Sequence, residues 1–463
     1  MDKEYTHIQD LIDLYTDVYY VEDTSFIEVV TAAVVSNKIP GDPLWMMVVG
    51  ASSSGKSEII NAMLGVDYVH QVSTLTTNTF LSGMSKKGEE TSLLKRIGNG
   101  VIAMKDFTSI ISLPSETKMK VMGDLREVYD GHMTKETGTG DKLEWGPGNK
   151  MGLVAGTTDE IYQVEEQFSR MGSRWLNYKM PKQSRKDTTH TSMDHTAKIR
   201  AMRQDIQDAF TQFVNHTVQT LEEDRIPDIS NELQDNIVDI AEFASRARSP
   251  VSRNFKGEME MVYDPEMPMR MASQLKILAQ TFAVMNDYEI TDRHEDIIYD
   301  VALNCISKQR WTVCDVLAKF DEVSTKALAM YLDFPTRVVR PWVEDLNGLS
   351  VVERSDRESA IGGDMWKLYP EYKEILREFG GIERKGEILD TDNMNRNDPY
   401  NDPAPGMDNT DAGFYGADGE SFVEPDDLEE WDKSNDIEKD AAELQQAAQE
   451  YEDEWHENNQ NES

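Results

Sequence analysis

The stretch Gly50-Ala51-Ser52-Ser53-Ser54-Gly55-Lys56-Ser57 satisfies the pattern G-x-x-x-x-G-K-[ST] at every fixed position. The apolar run Leu44-Trp45-Met46-Met47-Val48-Val49 before it predicts a buried strand. Glu58-Ile59-Ile60-Asn61-Ala62-Met63-Leu64 after it predicts a helix. Strand, glycine loop and helix in that order are the context a phosphate-binding loop requires. The glycines let backbone N–H groups curl around phosphate oxygens, and the helix N-terminus adds its partial positive charge. Lys56 is the residue to reach the β- and γ-phosphates, and the Ser57 hydroxyl is the Mg²⁺ ligand. Gly50, Ser53, Ser54, Gly55, Lys56 and Ser57 are therefore the candidate nucleotide-binding residues, with ATP and Mg²⁺ the expected ligands.

Such a loop needs a second acidic group at the end of a neighbouring strand, for the metal or for the attacking water. Val101-Ile102-Ala103-Met104 reads as that strand, and it runs into Lys105-Asp106, so Asp106 is the candidate. Gly152 to Gly156 reads as a third strand, ending in Thr157-Thr158-Asp159, and Trp175 to Met180 as a further one. An amphipathic helix from about Lys118 to Tyr129 and a hairpin turning at Thr137 to Asp141 lie between the second and third strands. Strands alternating with helices over residues 44–181 predict an α/β fold with a parallel sheet.

The expected organisation is two N-terminal helices (1–40), the α/β core (41–182), a helical lid (199–305), a small α/β module (306–380) and an acidic tail (381–463). The polar stretch 182–198 reads as a loop. In the module, helices at 311–320 and from Ser324 to Leu332, a turn at Asp333-Phe334-Pro335 and a helix from Thr336 come first. A strand at 349–354, a turn at Gly362-Gly363 and a strand at 365–369 follow. That order is a winged helix-turn-helix. Arg337 and Arg340, three apart on its third helix, can face one groove of a duplex, while Lys326, Arg354 and Arg357 can meet phosphates. Glu344 and Asp345 at the far end oppose that use, Pro341 is expected to kink or shorten the helix, and winged helices also serve protein contacts.

The 463 residues carry a net charge of −39. Residues 381–463 hold 26 acidic and 5 basic side chains, so this fifth of the chain supplies over half the excess and is expected to be disordered. Trp431 and Trp455 within it are possible anchors for a protein partner. The remaining body is also acidic, which argues against a broad basic surface and confines any DNA contact to local elements, with an acidic proteome of a salt-adapted host as the alternative source of the charge. Only Cys305 and Cys314 are present, which points to a reducing compartment without a disulfide framework. No signal-peptide core or membrane-length apolar run is present, so a cytoplasmic protein is expected. His190 and His195 lie without a third ligand, which argues against a metal site there.

Taken in order, these segments resemble the AAA+ ATPases, and within them the branch with a hairpin before sensor 1, most nearly the minichromosome-maintenance-type helicases. The resemblance covers about residues 40–370. Gly100 to Phe107 looks like that family's Walker B segment, Leu125 to Gly131 like its next helix, and 132–145 like its pre-sensor hairpin. Lys135 and Lys142 on that hairpin would then touch DNA phosphate. Thr157 or Thr158 would stand at sensor 1, where the family has Asn. Ser173-Arg174-Trp175 resembles its arginine-finger segment, with Arg170 a second candidate, and Arg270 falls where sensor 2 is expected. The resemblance implies a ring of identical subunits, a hexamer by expectation, with the finger acting on a neighbour's ATP. One departure stands out: an ungapped match puts Lys105 at the metal-binding aspartate and Asp106 at the catalytic glutamate. A one-residue shift leaves Phe107 at the base position instead, so one carboxylate of the usual pair is missing, with Glu58 or Glu127 as compensation.

The reading this supports is an ATP-driven DNA motor, a replicative helicase or replication initiator. The alternatives are an ATP-switched winged-helix transcription regulator and a helicase loader with slow turnover. A P-loop kinase would leave the winged helix without a purpose.

Overall fold

Breakers and apolar runs set the first half of the chain. The computed structural model describes residues 4–76, 78–82, 92–136, 142–168, 173–358, 363–383 and 385–389, with backbone alone for 165–168, 356–358 and 386–388. Helices α1 (Ile8–Thr16) and α2 (Ser25–Val35) come first. Strand β1 (Trp45–Val49) enters the glycine loop and α3 (Lys56–Ala62) leaves it. Then come β2 (Val69–Gln71), α4 (Leu93–Ile97), β3 (Val101–Met104), α5 (Thr108–Ile111) and α6 (Ser115–Tyr129). The hairpin β4 (Met133–Glu136) and β5 (Lys142–Trp145) interrupts the alternation before β6 (Gly152–Thr157), α7 (Glu160–Phe168) and β7 (Leu176–Lys179). The expected hairpin turn, 137–141, lies outside the described residues.

These strands form a five-stranded parallel sheet in the order β2-β3-β6-β1-β7. Every residue of β1 is buried, as a strand covered on both faces requires. Trp45, Met47 and Val49 pack with Ile102, Met104 and Leu153 on one face, under α6 and α7. Met46 and Val48 pack on the other, with Val30 of α2 and Ile59 and Ile60 of α3. The short edge strand β2 has no sequence signal beyond three residues, and it owes its place to pairing with β3.

The second half departs from expectation in several places. The stretch expected as a loop at 182–198 contains α8 (Arg185–Asp194). No residue of α8 is buried, so no apolar period marks it, and the Ser184 hydroxyl caps it by accepting from Asp187 N at 3.3 Å. Helices α9 (Thr196–Gln219) and α10 (Asn231–Ala247) lead to a second hairpin, β8 (Val251–Arg253) and β9 (Met259–Val262), inside the region expected as helical. Its strands are short and half-polar, and Arg253 anchors it through Asp345 at 2.7 Å. Helices α11 (Met269–Met285) and α12 (Asp292–Leu303) complete the layer.

The chain ends its described part with α13 (Lys308–Lys319), β10 (Phe320–Ser324), α14 (Thr325–Tyr331), α15 (Thr336–Gly348), β11 (Val352–Glu358), β12 (Asp364–Leu368), α16 (Pro370–Glu378) and β13 (Gly386–Leu389). The four strands form one sheet, β11-β12-β10-β13. Phe320, expected as the end of a helix, opens β10 instead and pairs with Gly386. Strand β13 also corrects the expectation that disorder begins at 381: Ile382 and Leu389 are buried, an apolar pair too sparse to stand out in a charged stretch. Pro341 sits inside α15 without ending it, because the helix is held along its inner side by buried Val339, Val343 and Leu346. Among the described residues one apolar cluster runs from α1 and α2 through α9–α12 into α13–α16. A separate unit, Pro405–Ser463, lies outside the described residues, and with it Trp431 and Trp455. Cys305 and Cys314 are buried and not joined by a disulfide. Among the described residues no helix is long and apolar enough to cross a membrane.

Candidate functional site

Three backbone hydrogen bonds align the carboxyl ends of the sheet strands around the glycine loop. Phe107 N donates to Gly156 O at 2.7 Å, Gly50 N to Thr157 O at 3.1 Å, and Met180 N to Val49 O at 2.7 Å. Asp106, Thr157, Thr158 and the loop therefore share one edge of the sheet. Gly55 holds a left-handed conformation (φ +89°) as the residue before α3, which only glycine adopts without strain. At Gly50 a Cβ would come within 2.7 Å of Ser54 Oγ, which can turn away, and 3.2 Å of Met180 Cβ, so a side chain there would crowd the turn.

Lys56 is buried, and its ammonium donates to the carbonyls of Gly50 and Ala51 at 2.5 and 2.6 Å and approaches Ser54 Oγ at 3.4 Å. Burial lowers its pKa, while the carboxylates of Asp106 and Asp159 pull in the opposite direction and favour the charged form. Ser53 and Ser57 are exposed along the loop and the first turn of α3. The first N–H groups of a helix have no partner inside it, so this turn presents donors as well as a hydroxyl. Asp106 is exposed, and its Oδ1 accepts from Thr108 N at 2.8 Å. Hydroxyl and carboxylate oxygens are the donor set Mg²⁺ takes beside phosphate, so the residues present fit that ion.

The two threonines differ. Thr157 is buried and donates weakly to Thr158 O at 3.4 Å. By the two-residue strand period it shares a face with Leu153 and Ala155, which pack away from α3. Thr158 is buried at its hydroxyl, which has no hydrogen-bond partner among the described residues. A buried hydroxyl without a partner is costly unless something else completes it.

Glu58, a possible compensating carboxylate, is committed elsewhere. It takes Arg203 of α9 at 2.7 and 3.0 Å and the Tyr19 hydroxyl at 2.9 Å. Glu127 is exposed on α6. Asp159 is exposed two residues past the end of β6 and acts on Lys56, a placement its sequence position alone does not reveal. The sequence carries one signal of it: Asp159 follows an apolar strand at the same distance as Asp106 follows β3.

The two described arginine candidates lie at the opposite edge of the sheet. Leu176 pairs with Met46, so Arg174 stands level with Leu44, about 20 Å from Gly50 at the usual strand rise. Arg174 is buried, pairs with Asp130 at 3.4 Å and lies 5.9 Å from the centre of the Tyr129 ring. Arg270 pairs with Glu266 and donates to Ser173 O at 3.3 Å, beside Arg174. Both stand toward the amino ends of the strands, at the end of the sheet away from the glycine loop of their own chain. Arg170 lies outside the described residues.

The candidate DNA contacts are dispersed. Lys135 donates to Asn78 Oδ1 at 2.9 Å, and Lys142 pairs with Glu144 at 3.2 Å. Lys326 and Arg337 are exposed. Arg340 lies 3.6 Å from Asp364 and 3.8 Å from Glu344, and Arg354 pairs with the same Asp364. The Arg357 side chain lies outside the described residues. Asp345, expected to oppose DNA, instead faces inward to Arg253 and Arg310, at 2.7 and 3.4 Å.

No protein-family model matches the chain. No curated protein matches it either. A solved structure of a candidate ATPase from Cytophaga hutchinsonii is similar at 11% identity, with a TM-score of 0.36, over 64% of this chain and 86% of that one. That likeness is too distant to carry an argument, and the site's own geometry stands alone.

Proposed function

We propose that the chain is an ATP-hydrolysing P-loop protein of the AAA+ type that acts on DNA. The observation that supports it best is the shared strand edge, where a glycine loop with Lys56, a strand-terminal Asp106 and the unpartnered Thr158 hydroxyl come together. The strand order β2-β3-β6-β1-β7 puts the threonine strand between loop and aspartate, and the inserted β4–β5 hairpin precedes it. In this reading Lys56 exchanges the Gly50 and Ala51 carbonyls for β- and γ-phosphate oxygens. Ser57 and Asp106 hold Mg²⁺, which when bound neutralises phosphate charge. Thr158 rather than Thr157 orients the attacking water, since its hydroxyl lacks another partner.

The region 308–368 has the helix, strand, helix, helix and hairpin order of a winged helix-turn-helix, and we read it as the DNA-holding module. Arg174 and Arg270 at the far sheet edge suit action on a neighbouring subunit, which favours a ring. A helicase-loader or switch reading is kept by one observation: Asp364 neutralises both Arg340 and Arg354 on the face that would meet DNA. Steady-state ATP hydrolysis with and without single- and double-stranded DNA, beside Lys56→Ala, separates these. Strong stimulation by DNA, lost in the variant, supports the motor. Slow turnover indifferent to DNA supports the loader, and no nucleotide-dependent activity or binding removes the reading.

A further inference from the structure

The site has one strand-terminal carboxylate where an ATP-hydrolysing loop uses two, and the flanking residues do not supply the other. Lys105 is a cation and Phe107 is buried in the core. Glu58 is held by Arg203 of α9 and by Tyr19, on the side of α3 that meets α9. Asp159 is placed differently. Gly50 N is bonded to Thr157 O, so the chain leaves β6 directly beside the glycine loop, and Asp159 follows two residues later. Among the described residues its carboxylate makes no hydrogen bond or ion pair, while its backbone carbonyl starts α7 by accepting from Tyr162 N at 3.2 Å. The adjacent Thr158 hydroxyl is buried and equally unpartnered. An anchored backbone with an uncommitted carboxylate beside an uncommitted hydroxyl is the arrangement expected of groups that meet a ligand.

We infer that Asp159 is the second carboxylate of the site and acts as the general base for ATP hydrolysis, with Thr158 orienting the water. The inference rests on the nucleotide-site reading above. The water oxygen bonds to the γ-phosphorus as the bond from γ-phosphorus to the β,γ-bridging oxygen breaks. ADP leaves with that electron pair, and the water proton passes to the Asp159 carboxylate and from there to solvent. Asp106 remains on the metal side, so the two carboxylates divide the work that adjacent residues of one strand do elsewhere. The field of Asp159 on Lys56 is consistent with this closeness.

The test uses the full chain and four proteins: unsubstituted, Asp159→Asn, Asp159→Glu and Lys56→Ala. Binding of a fluorescent ATP analogue with Mg²⁺ is measured separately from steady-state hydrolysis. Asp159→Asn is expected to bind the analogue within about threefold of the unsubstituted chain while kcat falls about 10²- to 10⁴-fold. Asp159→Glu should recover part of the rate. Hydrolysis within about twofold in Asp159→Asn overturns the inference and leaves the nucleotide site standing. So does loss of analogue binding in that variant, which would make Asp159 a binding residue. If the unsubstituted chain binds the analogue no better than Lys56→Ala, the nucleotide-site reading itself falls, and the inference with it.

Discussion

Lys56 is the residue on which the site turns, because it is buried without a carboxylate in direct contact. Its ammonium is satisfied by two loop carbonyls, an arrangement that phosphate oxygens can replace. Lys56→Ala should therefore lower ATP hydrolysis by about 10²-fold or more while the far-ultraviolet circular dichroism stays unchanged. Asp300 on α12 offers a different test at the same scale. Burial, then the carboxylates of Asp23 and Asp296, push its pKa from 3.8 up to about 6. Because the folded chain holds this proton more tightly than the unfolded one, stability falls as pH rises through about 4 to 6 and the penalty is complete above that. Asp300→Asn mimics the protonated form, so it should raise the melting temperature at pH 7.5 and leave it unchanged near pH 4. Asp300 lies exposed at the surface even though neighbouring atoms desolvate its carboxyl, so solvent screens the effect and the rise should be about a degree or two. An equal rise at both pH values would mean the gain is not electrostatic.

At the level of elements, the site depends on how closely β3 and β6 approach at their carboxyl ends. A Cβ on Gly156 would lie 2.6 Å from Lys105 O and 3.2 Å from Ile60 Cδ1. The carbonyl is backbone and cannot swing aside, so Gly156→Ala should cost about 1–3 kcal/mol in denaturant unfolding and displace Asp106 enough to slow hydrolysis. Wild-type stability in that variant would show that the strand ends have slack. The strands that build this edge were legible because each is an apolar run closed by a polar residue. Asp106 and the loop could be named from that pattern alone. Helix α8 could not, since it buries nothing and leaves no period. Nor could the commitment of Glu58 to Arg203 and Tyr19, partners 145 and 39 residues away. Sequence shows which residues flank a strand end, but long-range partners decide which of them stay available.

Across the whole molecule the unresolved balance is between an acidic body and a module read as DNA-binding. Residues 1–380 carry a net charge of −18, so a duplex approaching α15 meets repulsion except where cations are concentrated. Of the described side chains on that face, Arg340 and Arg354 converge on Asp364, whereas Arg337 and Lys326 make no ion pair among the described residues. Asp364 thus sets how much positive potential the face presents. If the face holds DNA phosphate, Asp364→Asn releases Arg354 and leaves Arg340 only its 3.8 Å pair with Glu344, and should tighten duplex binding about three- to tenfold at low salt. It should also steepen the dependence of log affinity on log salt by about one to two units, as each new phosphate contact releases a counterion. Arg337→Ala should weaken binding in the same titration. The Asp364 side chain is only partly exposed, so its loss also unties β12 from α15, and a melting curve recorded on the same protein shows whether the module stays folded. If Asp364→Asn is folded and its DNA affinity and salt slope are unchanged, α15 and its hairpin do not bind DNA through this face. The module would then serve protein contact, and ATP turnover would be coupled to a partner instead of to a strand of DNA.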